Sequence, residues 1–419
     1  MLRGLCYGIV DEADSVFVDE ARTPLILSAS TRSDEEKERC ESALALARAL
    51  ASGPDYTTDL VERSAVLTEA GKAKLQAAGE SLGGIWSSKR AREELVARAL
   101  SALVLFHRDH HYVVSEGKVQ IVDESTGRVM PDRSWEQGLH QMIEAKEGCE
   151  LTERRETLAR ITYQRLFRRF LRLSGMSGTA KEVAREIKLI YRLDVVRIPL
   201  HKPSQRVVGR ARACATLAEK WAVVADTVEK LAVIGRRAVL IGTRSVKASE
   251  EISAVLTARG IEHALLNAKQ DKDEAQVVAS AGQPGRVTVA TNMAGRGTDI
   301  RLAAEVAGSG GLHVILTEYH ESRRIDRQLF GRCARQGDPG SCEAIVSLED
   351  EIFTVYASMP TQMARRMVEA GKNVPDYAIL GLRRLAQFSV ERRNAQVRLQ
   401  NMKLDRRLDR MLAFSGRGE

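Results

Sequence analysis

Long apolar runs are missing from this sequence. None approaches the ~18 consecutive residues that a membrane-crossing helix needs, which excludes such a helix. Aromatic residues are scarce at 5%, leaving few platforms for stacking single-stranded nucleic acid. Cysteine is thin and scattered, at Cys6, Cys40, Cys149, Cys214, Cys333 and Cys342, with no C-x-x-C or C-x-C. The closest pair, Cys333 and Cys342, has no His or third Cys at ligand spacing. Neither a zinc site nor a disulfide framework is expected, and the reducing cytoplasm is the expected setting. Met1-Leu2-Arg3-Gly4 leads straight toward Tyr7-Gly8-Ile9-Val10-Asp11, without the n-region and h-region of a signal peptide. Internal repeats and low-complexity tracts are also lacking. What is present is ordinary globular material, 44% hydrophobic and 29% charged. The 419 residues suggest about three domains. Lys plus Arg is 64 against 56 Asp plus Glu, a net +8 that permits contact with nucleic acid, acidic lipid or nucleotide and demands none of them.

The chain opens on a strand-like run, Tyr7 to Val10, that ends in Asp11-Glu12-Ala13-Asp14. From about Ser28 the composition turns polar, with helical spacing at Leu44, Leu46 and Leu50. Leu95, Ala99, Ala102, Leu103 and Phe106 give residues 91–106 one apolar face. Tyr112-Val113-Val114 and Val119 to Val122 flank a turn at Gly117 and predict a hairpin. A mostly helical stretch is expected from Pro131 to about Phe170, then a Gly-rich turn at 174–180 and a boundary at Pro199 and Pro203. Beyond it, apolar runs at 238–241, 264–266, 287–290 and 313–316 alternate with helical segments, the pattern of a parallel sheet covered on both faces. After about Met359 the sequence is helical and basic. From Arg383 onward, ten Lys and Arg face four Asp and Glu.

Three clusters carry chemistry. Asp11 and Glu12, at the carboxyl end of a strand, suit nucleotide hydrolysis: one carboxylate holds Mg2+ and the other orients or deprotonates the attacking water. Taken alone, such an acidic pair also fits a solvated strand end. The second cluster follows the strand at 287–291. Gly295 and Gly297 let the backbone approach a ligand, Arg296 offers a fork of donors to phosphate, and Asp299 can accept from a ribose or fix an arginine. In the third, Gln328 to Asp338, Arg332 and Arg335 lie three apart, expected on one helix face and placed to reach a phosphate held by another domain. The order of these clusters, with Ser177-Gly178-Thr179-Ala180 between the first two, is that of superfamily 2 nucleic-acid and protein motors.

More discriminating phrases narrow the resemblance. They are Asp19-Glu20-Ala21-Arg22-Thr23-Pro24, Ile121 to Arg128, Gly138-Leu139-His140-Gln141, Gly175-Met176-Ser177-Gly178-Thr179, Thr291 to Ile300, and His320-Glu321-Ser322-Arg323-Arg324-Ile325-Asp326. In this collinear set, from residue 4 to roughly 400, the chain resembles the SecA family of ATP-driven preprotein-translocation motors. The resemblance implies an α/β fold of two RecA-like P-loop NTPase domains, the first incomplete, with an inserted α+β preprotein-crosslinking-like domain and a C-terminal scaffold helix. The implied borders are 1–27 and 131–200 for the first motor domain, 28–130 for the insert, 201–365 for the second motor domain and 366–419 for the scaffold. ATP and Mg2+ are the implied cofactors, without zinc in this chain. Carried over residue by residue, Asp11 holds the metal and Glu12 is the base. Arg296, Gly297, Asp299 and Gln336 line the nucleotide, and Arg332 and Arg335 are the finger arginines. The implied partners are unfolded preprotein, the SecYEG channel and anionic membrane surface, with no nucleic acid and with a homodimer left open. The implied location is the cytoplasmic face of the bacterial inner membrane.

The sequence departs from that family in one large respect: G-x-x-x-x-G-K-[ST] occurs nowhere in it. Family members carry this phosphate-cradling loop upstream of the acidic cluster, so a truncated chain is the simplest reading. The family's helical wing, two-helix finger and zinc tail have no counterpart either. Smaller departures are Phe330 for a usual Arg, Cys333-Ala334 for Ser-Gly, Leu316 and Tyr319 for Gly and Arg, and Ala303-Ala304 for Gly-Gly. Two alternatives stay open from sequence: a superfamily 2 helicase, and a non-catalytic module that binds preprotein along exposed strand edges.

Overall fold

The computed structural model describes residues 4–31, 35–59, 63–122, 129–130, 133–135, 138–152, 154–266, 274–291, 299–370 and 374–412. The apolar runs of the second half become strands of a seven-stranded parallel sheet. Its order is Gln205–Val208, Pro339–Ser347, Leu312–Leu316, Val239–Thr243, Val287–Thr291 and Ala264–Leu266, with Arg212–Cys214 pairing further along Pro339–Ser347. Val239–Thr243, Val287–Thr291 and Leu312–Leu316 are buried at every residue. Helices cover both faces of such a sheet, which is why these strands read as continuous apolar runs without alternation. Val314, Leu316 and Leu329 pack on one face, and Ile241, Val289 and Trp221 on the other.

The first body shows a smaller parallel pairing, Tyr7–Val10 with Arg172–Gly175, over a core of Phe17, Ile190 and Tyr191. Phe17 and Tyr191 stack at 4.4 Å. Tyr7 and Ile9 are 59% and 61% exposed, so this small sheet presents an uncovered apolar face.

The inserted body has its own core, with Leu44, Val96, Leu100, Tyr112 and Ile143. The expected hairpin forms, Tyr112–Ser115 antiparallel to Lys118–Val122, with Val129–Met130 as a third strand. One expectation shifts here. The stretch from 131 to 170 is not mostly helical. The Leu139–Glu147 helix stops at Gly148, whose φ of +71° is left-handed, and Arg154–Ile161 then forms a strand. That strand runs antiparallel to Leu25–Thr31, and pairing with a partner 130 residues away in sequence overrides local helical preference. Residues beyond 130 share the inserted body's core. Met142 and Ile143 lie in the same core as Leu44 and Val96, and the paired strands Leu25–Thr31 and Arg154–Ile161 flank the residues that build it.

The insert also touches the body of the seven-stranded sheet. Lys247 N–H donates to the Asp109 carbonyl at 3.1 Å, His110 Nε2 lies 3.4 Å from Glu351, and Val113 and Val122 pack on Val246. The 37-residue helix Asp376–Leu412 runs beside both of the sheet-bearing bodies, first and second. Arg383 Nη2 reaches Asp326 at 2.9 Å, Ser322 reaches Glu391 at 2.6 Å, and Arg398 Nη2 reaches Glu186 at 2.8 Å. Asn401 donates to the Arg22 carbonyl at 3.0 Å, and Thr162 donates to Asp405.

One glycine tests the sheet's packing. Gly311, at φ +71°, precedes Leu312–Leu316, and a Cβ there would stand 1.8 Å from the Pro339 carbonyl oxygen. Gly311→Ala should therefore cost about 2–4 kcal/mol of stability, read as a lowered thermal midpoint. A midpoint within error of the parent would contradict this packing.

Candidate functional site

The site is assembled from the carboxyl end of the first body's strand and from the segment after the Arg323–Phe330 helix. Tyr7–Val10 delivers Asp11 and Glu12, and the chain turns at Glu12 with φ +49°. The Gly-rich turn is stitched to this end. Met176 N–H donates to the Val10 carbonyl and Ala13 N–H to the Met176 carbonyl, both at 2.9 Å. Gly175 permits the approach, since a Cβ there would stand 2.6 Å from that of Ala13.

At the centre of the contact between the bodies is Asp14, 0% exposed. Ser177 and Thr179 donate to it from the first body, Thr179 at 2.6 Å. From the second body come Arg324, 1% exposed, and Gln328 Nε2 at 3.0 Å. Arg324 also pairs with Asp19. Arg324 and Gln328 are four apart on one helix, so both present to the same carboxylate. Ser322 starts that helix, its Oγ accepting the Arg324 N–H at 3.2 Å. Burial alone would raise the Asp14 pKa, but Arg324 and the two hydroxyl donors outweigh it and hold the carboxyl below its ordinary value. On Arg324, burial is outweighed in turn by Asp19 and Asp14, and its pKa is raised.

Beside this contact opens a cleft of about 1130 Å³. Glu12, Gly178 and Thr179 line it from the first body, and Arg327, Arg332, Arg335 and Gln336 from the second. Lys202 and Arg206 add to its rim, so five Lys and Arg side chains face two carboxylates, Glu12 and Asp299. That surplus suits a polyanion. Arg335 Nη1 donates to Asp299 Oδ1 at 3.1 Å, and Gln336 Nε2 to Asp299 Oδ2 at 3.2 Å. The cleft therefore brings together Glu12, Asp299, Arg332, Arg335 and Gln336. Asp11 does not line it: its Oδ1 accepts the Glu12 N–H at 2.8 Å, and no metal-ligating cluster of His, Cys, Asp or Glu occurs among the described residues. Arg296 and Gly297 lie outside the described residues.

Arg332 and Arg335 are not on a helix face, as their spacing had suggested. The helix ends at Phe330, and Ala334, Gln336 and Gly337 all have positive φ, at +55°, +52° and +85°. The arginines ride a tight, partly strained turn. The strand Gln205–Val208 braces that turn: Arg206 Nη2 donates to the Cys333 carbonyl at 2.9 Å, and Gln205 Nε2 to the Gly337 carbonyl at 2.7 Å.

Asp14, Asp19, Arg324 and Gln328 were not singled out by spacing. The signal was their presence in the phrases around D-E-A-D and H-E-S-R-R-I-D and, for Gln328, at the start of the third cluster, because a contact across 310 residues leaves no local periodicity.

Arg324→Ala leaves Asp14 and Asp19 uncompensated and should cost about 3–5 kcal/mol. Because the folded pKa of Asp14 is depressed, its contribution is complete above pH about 4 and is lost as pH falls through the folded value. The deficit of Arg324→Ala should accordingly be largest above pH about 4 and narrow below it, measured by urea unfolding across that range. A deficit independent of pH would remove Asp14 from the account.

Comparison with known proteins agrees with this architecture. The SecA DEAD-like domain family matches residues 1–188, and the SecA P-loop domain family matches 204–308 and 302–372. The chain is 53% identical over 425 residues to protein translocase subunit SecA 2 of Nitrosospira multiformis, covering 100% of this chain and 63% of that protein. It is 52% identical over 421 residues to SecA 2 of Bordetella avium, covering 100% and 63%. It is 48% identical over 424 residues to SecA 3 of Magnetococcus marinus, covering 100% and 64%. The chain thus spans somewhat under two thirds of the length of these relatives. With both motor-domain families matched in order, and with the two motor bodies facing each other across a basic cleft, the chain belongs to the SecA family.

Proposed function

We propose that this chain carries the nucleotide-responsive core of a SecA-type preprotein translocase. The observation that carries the reading is the cleft that Glu12 shares with Arg332 and Arg335, contributed by two bodies locked together at Asp14. ATP, when bound, supplies the phosphoanhydride bond whose hydrolysis powers the motor. The residues present fit the terminal-phosphate side of such a site. Glu12 orients the attacking water and takes its proton, and Arg332 and Arg335 neutralise charge on the phosphoryl group. Asp299 and Gln336 would line the bound nucleotide, the role that the resemblance also gives Arg296 and Gly297, and Asp11 would have to turn from the Glu12 N–H toward the cleft to hold Mg2+. The β-phosphate cradle is not encoded in this sequence.

The described contacts add one requirement. Arg335 is engaged by Asp299, so it reaches phosphate only by leaving that carboxylate or by carrying it along. The proposed domain layout assigns 4–31 and 154–200 to the first motor domain and the intervening segment to a preprotein-crosslinking domain. Residues 201–365 form the second motor domain, and the long helix is the scaffold. Unfolded preprotein, the SecYEG channel and an anionic membrane surface are the proposed partners, and the cytoplasmic face of the inner membrane the proposed location. No helix among the described residues is long and apolar enough to cross a membrane.

A chimera joining this chain to the P-loop segment of a curated relative tests the reading. Glu12→Gln should lower its ATP turnover by about 100-fold or more while leaving nucleotide affinity within about threefold. Arg335→Ala should lower turnover by about 1000-fold. Unchanged turnover in Glu12→Gln would overturn the role of Glu12.

A further inference from the structure

Cys333 sits between the two cleft arginines and is 1% exposed, and Cys342 on the strand Pro339–Ser347 is 0% exposed. Both remain free thiols. They meet. Gly340 and Cys342, two apart on one strand, share a face, and a Cβ on Gly340 would stand 3.0 Å from the Cβ of Cys333. Cys333 Sγ lies 3.2 Å from the Phe330 carbonyl oxygen. Nothing in the nucleotide chemistry uses either sulfur.

We propose that Cys333 and Cys342 form a peroxide-oxidisable dithiol site behind the arginine turn. The Cys333 thiolate attacks a peroxide oxygen and the O–O bond breaks. Hydroxide leaves and takes a proton to become water, and Cys333 is left as a sulfenic acid. The Cys342 thiol then attacks that sulfur, its proton departing with the displaced hydroxyl as a second water. Two thiols and one hydrogen peroxide become one disulfide and two waters, and an external dithiol reverses the change.

The environment assigns the roles. The influence of the Cys342 thiol outweighs burial and, with the Arg206 guanidinium, brings the Cys333 thiol down to about 7. Arg237 faces Cys333 as a further cation, while Glu343 lies beside Cys342. The influence of Cys333 and burial push Cys342 up, so it stays a thiol and acts second. Burial and nearby glutamates push the other buried thiols up as well, Cys214 to about 11 and Cys40 to about 12. Arg332 and Ala334, on either side of Cys333, line the cleft, so its sulfur lies directly behind that wall. A disulfide would tie the turn carrying Arg332 and Arg335 to the sheet. That consequence for the cleft rests on the proposed nucleotide reading, but the thiol chemistry is tested without it.

The purified chain is treated with hydrogen peroxide, quenched by alkylation, digested and mapped by mass spectrometry. A peptide pair linking Cys333 to Cys342 should accumulate and be lost on dithiothreitol treatment. It should form about 100-fold faster than Cys214 is oxidised, at a rate that rises through pH about 7 and levels off above it. In Cys342→Ala the link should vanish while Cys333 becomes reactive to a sulfenic-acid trap. Recovery of both cysteines as free thiols at peroxide doses that oxidise the exposed Cys6 would overturn the proposal. Cys333 linked to Cys6 of a second chain would overturn it equally.

Discussion

A carboxylate buried where two bodies meet must be compensated by charge and hydrogen bonds, and Asp14 meets that demand from both sides. Two hydroxyls of its own body, Ser177 and Thr179, and two side chains of the facing body, Arg324 and Gln328, converge on it. At an effective dielectric near 20, a contact of this kind gains about 4 kcal/mol, set against the several kcal/mol that desolvating each ion costs. Its value therefore lies less in net stability than in specificity. The four donors converge on one carboxylate only when the first body's turn and the second body's helix stand in this relation. The cleft beside it inherits its width from that agreement.

Much of this was legible in the sequence. The apolar runs from 238 onward announced a buried parallel sheet because strands covered on both faces have no polar alternation. The hairpin at Gly117 declared itself through its turn, and Glu12, Asp299, Arg332, Arg335 and Gln336 do line one cleft. What stayed hidden depended on partners far away in sequence. Arg154–Ile161 becomes a strand only because Leu25–Thr31 is there to pair with it. The arginine turn looked helical because R-x-x-R spacing is blind to the positive φ of Ala334 and Gln336, which their side chains do not advertise. Arg324 looked like one arginine among many until its burial was known.

The departures from the family's usual residues also acquire physical content. Leu316 and Tyr319 are fully buried in the core beneath the sheet, and the Arg383 guanidinium lies 4.3 Å from the centre of the Tyr319 ring. An arginine of the long helix thus stacks on the buried Tyr319 ring. Phe330 packs at the edge of the same core, trading charge at the cleft for apolar contact behind it.

The long helix has a consequence of its own. Its contacts run in sequence from Arg383 and Glu391 on the second body to Arg398, Asn401 and Asp405 on the first. These anchors span about 33 Å at 1.5 Å per residue. A splint fixed at both ends resists sliding, because a shift of one turn would break every anchor in register. It resists twisting far less, because each anchor is a side chain that can swing. Relative motion of the two motor bodies is thereby steered toward rotation about the helix axis and away from translation along it, which makes the helix an axle.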